Sequence, residues 1–191
     1  MPLTRLPAGE IGTIVTYLEM NQRPPLRPMP AAPFGLKRWV DPEPAKYRLL
    51  FERIGSRWLW YSRLAMSDAA LRKAIGAVHA VVDPRGIEVG MIELDFGTPS
   101  ECMILFLGLV PELAGRGHGR WLLSQTLALA WRKDVRRVHV HTCTLDHPAA
   151  LPAYLRAGFS AYKQAFESFT DPRLSGLLPH DCAPQIPLIE Q

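Results

Sequence analysis

Three glycines stand at alternate positions in GRGHGR, residues 115–120, with an arginine after the first and another after the last and a histidine between the last two. Alternating glycines leave backbone amides uncovered. Where such a segment opens a helix it suits an anion, because free N–H groups point outward and the helix dipole adds positive potential. A dinucleotide fingerprint GxGxxG counted from Gly115 needs a third glycine at residue 120, which is Arg120. A phosphate loop of the GxxxxGK[ST] type needs a lysine, and the segment has none. Metal and disulfide chemistry are disfavoured too: Cys102, Cys143 and Cys182 are an odd, widely spaced set without a CxxC. They fit a reducing compartment, and hence the cytoplasm.

The elements around the loop follow from periodicity. EIGTIVTYLEM, residues 10–20, is rich in β-branched and aromatic residues and reads as a first strand. A proline-rich loop spans 21–40, with Pro24, Pro25, Pro28, Pro30 and Pro33 forcing an extended path that cannot join a central ladder. Two helices are expected next. Tyr47, Leu50, Phe51 and Ile54 recur at helical spacing, and Ser67 can cap a helix carrying Leu71 and Ile75. AVHAVVDPRGIEVGMIELDF then predicts a hairpin turning at Asp83-Pro84-Arg85-Gly86. CMILFLGLV, residues 102–110, is apolar without alternation and reads as a strand covered on both faces. It runs into the glycine loop. Leu123, Leu127, Ala130 and Trp131 mark a helix after it, and Val138, Val140 and Thr142 alternate as a strand. A helix from about Ala149 to Ala157 should stop at Gly158, with Pro152 kinking or delaying its first turn. A last strand is expected over 159–169, followed by an irregular tail at 171–191.

Two blocks now carry a resemblance. LVPELAGRGHG, residues 109–119, resembles the acetyl-coenzyme A loop of the GNAT superfamily of N-acetyltransferases, [Gln/Arg]-x-x-Gly-x-[Gly/Ala], with Gly117 and Gly119 in place and Ala114 at the first position. DHPAALPAYLRAGF, residues 146–159, is similar to that family's Asn-x-x-Ala-x-x-x-Tyr-x-x-x-Gly-Phe. Ala150, Tyr154, Gly158 and Phe159 match, and His147 stands at the asparagine. The resemblance implies a single GNAT-like α/β (α+β) domain over 1–191. It would hold a mixed, mostly antiparallel sheet of six to seven strands flanked by about four helices, with residues 76–160 as the acetyl-CoA-binding core.

By that resemblance the reaction is direct transfer of acetyl from acetyl-CoA to a primary amine of a small molecule or peptide, without an acyl-enzyme and without a metal. The cofactor-binding residues it implies are Leu109, Val110, Ala114, Gly115, Arg116, Gly117, His118, Gly119, Arg120 and His147. A main-chain amide of Leu109 or Val110 would polarise the thioester carbonyl. His118 holds a variable, usually apolar position and is expected to pack or lie at the surface. Tyr154 falls where the family protonates the leaving thiolate. For a general base the resemblance leads to Met103, so Glu101, two residues earlier on the same face, or Glu93 on the neighbouring strand stands in. A lysine acceptor with pKa near about 10.4 needs such a base far more than an α-amine near about 7.8 does. Trp58, Trp60 and Tyr61 are candidates for an acceptor pocket, the alternative being core filling.

Composition narrows the partners. The 191 residues carry a net charge of +4, a mild bias that suits a polyanionic small ligand. The densest basic stretch, RKDVRR at 132–137, reads as a solvated helix end, so no nucleic acid is expected. No uninterrupted apolar stretch approaches membrane-spanning length, so no membrane is expected either. A homodimer stays open. Met103 and Ala114, both departures from the family pattern, also leave room for a catalytically silent acyl-CoA-binding or sensing domain.

Overall fold

In the computed structural model, which describes residues 3–25 and 28–190, the β-branched run Glu10–Met20 forms β1. The outermost residues of the expected 1–191 domain and residues 26 and 27 of the proline-rich stretch lie outside the described residues. The described residues of the proline segment then take no regular structure, but Gly35–Trp39 forms a short strand, β2, inside the 21–40 stretch expected to be loop. β2 pairs only with Ala77–Val82, β3, at the edge of the sheet. That position lets five mostly exposed residues hold a ladder that their own pattern does not announce.

The helices match their apolar spacing. Pro44–Gly55, α1, buries Tyr47, Leu50, Phe51 and Ile54. Asp68–Ala74, α2, starts at a cap in which the Ser67 hydroxyl accepts the Ala70 N–H. β3 and Glu88–Asp95, β4, form the expected hairpin, turned by Gly86 at φ +82° and by Asp83, which accepts the Arg85 and Ile87 amides. Glu101–Leu109 is β5, His118–Ala130 is α3 and Arg137–Cys143 is β6. Ala150–Ala157, α4, ends at Gly158 with φ +105°. Pro152 sits in the first turn of α4, where its missing N–H has no intrahelical partner to lose, so it does not delay the helix. The basic run follows α3 as a turn and adds no cation to its last turn, contrary to the expected helix end.

Ser160–Thr170, β7, completes a seven-stranded sheet ordered β2-β3-β4-β5-β6-β1-β7. Every pairing is antiparallel except β5 with β6. One large core unites the sheet with the helices, from Leu18 and Phe51 to Ile104, Trp121 and Val140. The described tail after β7 has no helix or strand, yet it is anchored: Leu178 and Ala183 pack with Ile11 and Leu59. Arg173 bridges Asp171 at 2.7 Å and donates to the Ala183 and Ile186 carbonyls. Among the described residues, no helix is long and apolar enough to cross a membrane.

Candidate active site

The cleft arises where β5 and β6 part. Their parallel ladder runs only from Glu101↔Arg137 to Ile104↔Val140, whereas β5 continues beside β4 as far as Leu109. Beyond Ile104 the facing edges separate, and a cavity of about 1190 Å³ opens there. Its walls come from the outer half of β5, the glycine loop, the facing sides of α3 and α4, the end of β6, and the proline segment. This explains the apolar run in β5. Its residues beyond Ile104 are half-buried because they line a cavity, not because both faces are packed.

Splaying also frees one backbone donor. The Val110 N–H donates to the Val89 carbonyl at 2.9 Å. Successive strand amides point to opposite edges, so the Leu109 N–H faces the open side, where β6 has turned away. Of the two main-chain amides expected to act, Val110 is committed to β4 and Leu109 is available.

The glycine loop presents bare backbone. Gly115 and Gly117 sit at φ +74° and +80°, a region L side chains rarely adopt. Among the described residues, a Cβ at Gly115, Gly117 or Gly119 would meet no atom within 4 Å beyond its own chain neighbours and helix backbone, so no other described residue covers this surface. Gly117 is the N-cap of α3, with no side-chain cap and no acidic residue in the first turn. The opening amides of α3 therefore lack a side-chain acceptor at the cavity edge. Ala114, Gly115, Gly117, His118, Gly119 and Arg120 line the cavity; Arg116 is exposed and does not. The His118 ring meets Phe34 edge-on at 4.8 Å, in line with the packing expected for it.

Tyr154 projects from α4 into the same space and is 8% exposed. Burial raises its phenol above the ordinary tyrosine value, and the charge of Asp146 raises it further. The phenol therefore stays protonated at neutral pH. Cys143, at the end of β6, is also held as a thiol, by burial first and Asp146 second. His147 lines the cavity, its Nδ1 accepting the Ala149 amide at 3.0 Å and its ring 5.1 Å from Trp58.

Neither expected glutamate is brought to the cavity. Glu101 lies at the closed end of β5, bonded to Arg137 at 3.2 Å and 3.5 Å from His139. Glu93 on β4 is fully buried and does not line the cavity; it accepts the Tyr47 hydroxyl, Arg63 Nη2 at 3.0 Å and the Gly76 amide at 3.0 Å. Alternation identified their faces but not the end of the strand at which the sheet opens. Of the aromatic trio, Trp58 and Trp60 line the cavity, whereas Tyr61 stacks on Phe169 at 5.1 Å outside it.

Two carboxylates that sequence reasoning missed do line it, Asp146 and Glu167. Asp146 Oδ1 accepts the Trp60 indole N–H at 3.1 Å, and its Oδ2 accepts the Thr142 hydroxyl at 2.7 Å and the Cys143 amide at 3.0 Å. One side chain thus ties the Trp60 loop to the end of β6. Asp146 was visible as the residue opening the second block, but Glu167, on an exposed stretch of β7, had no sequence signal.

Comparison with known proteins adds the following. A family model described as the acetyltransferase (GNAT) family matches residues 37–159. No curated protein matches the chain. Among solved structures, the chain is similar to a GCN5-related N-acetyltransferase from Sphaerobacter thermophilus, with 21% identity and a TM-score of 0.55 over 85% of this chain and 52% of that one. A tandem GNAT protein from the clavulanic acid biosynthesis pathway is similar at 17% identity and TM-score 0.51, over 83% and 53%. An IAA acetyltransferase from Bacillus cereus is similar at 18% identity and TM-score 0.52, over 68% and 79%. The chain spans about half the length of the first two. At these identities the likeness is one of fold.

Proposed function

This chain belongs to the acetyltransferase (GNAT) family, and from that premise we propose that it moves an acetyl group from acetyl-CoA directly to a primary amine of a small molecule or peptide. The observation that carries the reading is convergence: uncovered amides at the start of α3, a free Leu109 N–H and the Tyr154 phenol all border one cavity.

In this reading the amides of Gly115 to Arg120 hold the pyrophosphate, with the Arg120 side chain beside them. The gap between β5 and β6 takes the pantetheine arm, and a cavity of about 1190 Å³ leaves room for an acceptor as well. The Leu109 N–H donates to the thioester oxygen and stabilises the negative charge that develops there when the amine nitrogen attacks the carbonyl carbon. As the C–S bond breaks, Tyr154 donates its proton to the departing sulfur. The attacking nitrogen loses a proton to water or to a carboxylate at the cavity wall, so the products are an amide and a thiol. Trp58 and Trp60 wall the acceptor side. Asp146 holds Trp60 in place, and its charge adds to burial in keeping Tyr154 protonated. Its two oxygens are taken up by three donors, the Trp60 indole, the Thr142 hydroxyl and the Cys143 amide. The three cysteines are unpaired, which fits the cytoplasmic setting we propose for the chain.

A second reading, a silent acyl-CoA sensor, is favoured by one observation: neither Glu93 nor Glu101 reaches the cavity. Titration calorimetry with acetyl-CoA, followed by thiol release across a panel of amines, separates the readings. The enzyme binds acetyl-CoA and releases thiol with at least one amine. A sensor binds and never turns over, and absence of binding at millimolar acetyl-CoA overturns both.

A further inference from the structure

Among the described residues, β7 ends the sheet with its outer edge unpaired over 11 residues, Ser160–Thr170. Its faces are open as well. Tyr162 and Phe166 are 47% and 57% exposed, and Ile14, opposite Phe166 on β1, is 40% exposed. Long edge strands usually carry a proline, a bulge, an inward charge or a cover that prevents pairing. SAYKQAFESFT has no proline. Its one irregularity falls opposite Tyr17/Leu18, so the run from Lys163 to Thr170 is regular.

The charges on this edge select an occupant. Lys163 and Glu167 are equally spaced about Ala165, and alternation puts them on one face. A two-fold axis through Ala165, perpendicular to the sheet, sets Lys163 of each copy directly opposite Glu167 of the other. Phe166 then faces Gln164, with the second Phe166 on the diagonal, within reach of an aromatic ring. Moving the axis by one residue places Lys163 opposite Ala165 or Phe169 and breaks both ion pairs. Within its own chain Lys163 lies over the Tyr17 ring at 4.9 Å, and among the described residues it pairs with no carboxylate.

We infer that two copies of this chain pair antiparallel through β7 about Ala165, and that Lys163 of the second copy sits against Glu167 at the cavity wall. The interface is isologous, the same strand serving both sides. Because Glu167 lines the cavity, each copy helps to set the charge at the other's site. The inference concerns association alone and stands whether or not the chain transfers acetyl groups.

Sedimentation velocity on the whole chain, with variants, tests it. Dimers are expected at micromolar concentration. Lys163→Glu and Glu167→Lys should each weaken association at least tenfold, and the double exchange should restore it, which shows that the single changes did not act by unfolding. Under mild oxidation Ala165→Cys should give a disulfide-linked dimer and Ala161→Cys should not, since only position 165 meets its own copy across the axis. A chain that stays monomeric at hundreds of micromolar overturns the inference. So does a dimer indifferent to Glu167→Lys, or one that cross-links as readily through position 161.

Discussion

At the scale of single residues, Tyr154 and Glu93 make opposite predictions. Tyr154 borders the cavity with a phenol that burial and Asp146 keep protonated. Tyr154→Phe should lower kcat by about 10²-fold, within the range for a positioned general acid. Acetyl-CoA affinity, measured by calorimetry, should stay within about twofold, because in the proposed reaction the hydroxyl meets only the departing sulfur. Glu93 neutralises Arg63 in the interior and receives the Tyr47 hydroxyl and the Gly76 amide. Glu93→Ala leaves the Arg63 charge buried without its partner, which should cost about 3–5 kcal/mol in urea unfolding. Glu93→Gln keeps the shape and should lose stability while retaining turnover. Loss of turnover in a folded Glu93→Gln would return Glu93 to the reaction.

At the scale of elements, much was legible because the signals were local. α4 could be bounded from its glycine stop, and the hairpin turn from Asp83 to Gly86, since each depends on residues within a few positions. What escaped was set by neighbours. β2 exists through its pairing with β3, and five mostly exposed residues after a proline run carry no period of their own. The level at which β5 and β6 part is likewise a property of two strands, so Glu101 was placed on a plausible face but at the closed end. The conformation of the glycine loop was legible because alternating glycines set it in the backbone. Gly117 caps α3 at φ +80° with open space around it. Gly117→Ala therefore meets no clash but opposes that conformation by about 1–2 kcal/mol. If the loop holds the pyrophosphate as proposed, its amides should shift away from that group, and acetyl-CoA affinity should fall about tenfold while the melting temperature changes little.

At the scale of the whole molecule, histidines under the sheet link stability to pH. His79 on β3 is 9% exposed, and its Nδ1 has no hydrogen-bond partner among the described residues. Burial holds its pKa below the ordinary value of 6.5, with Arg38 adding to the effect. His139 on β6 is lowered in the same direction, by burial first and Arg137 second, despite its contact with Glu101. Both rings are therefore neutral in the fold where the unfolded chain would already bind protons. An unfolded state that binds more protons gains on the fold as pH falls, so stability is full above pH 6.5 and declines below it. The decline ends only once the pH passes the lowered folded values. Unfolding free energy, measured by urea titration at pH 7.5 and pH 5.5, should be smaller at the lower pH. His79→Val, which keeps an apolar strand residue and removes the titrating ring, should flatten that difference. An unchanged slope in the variant would show that His79 takes up its proton in the fold as readily as in the unfolded chain.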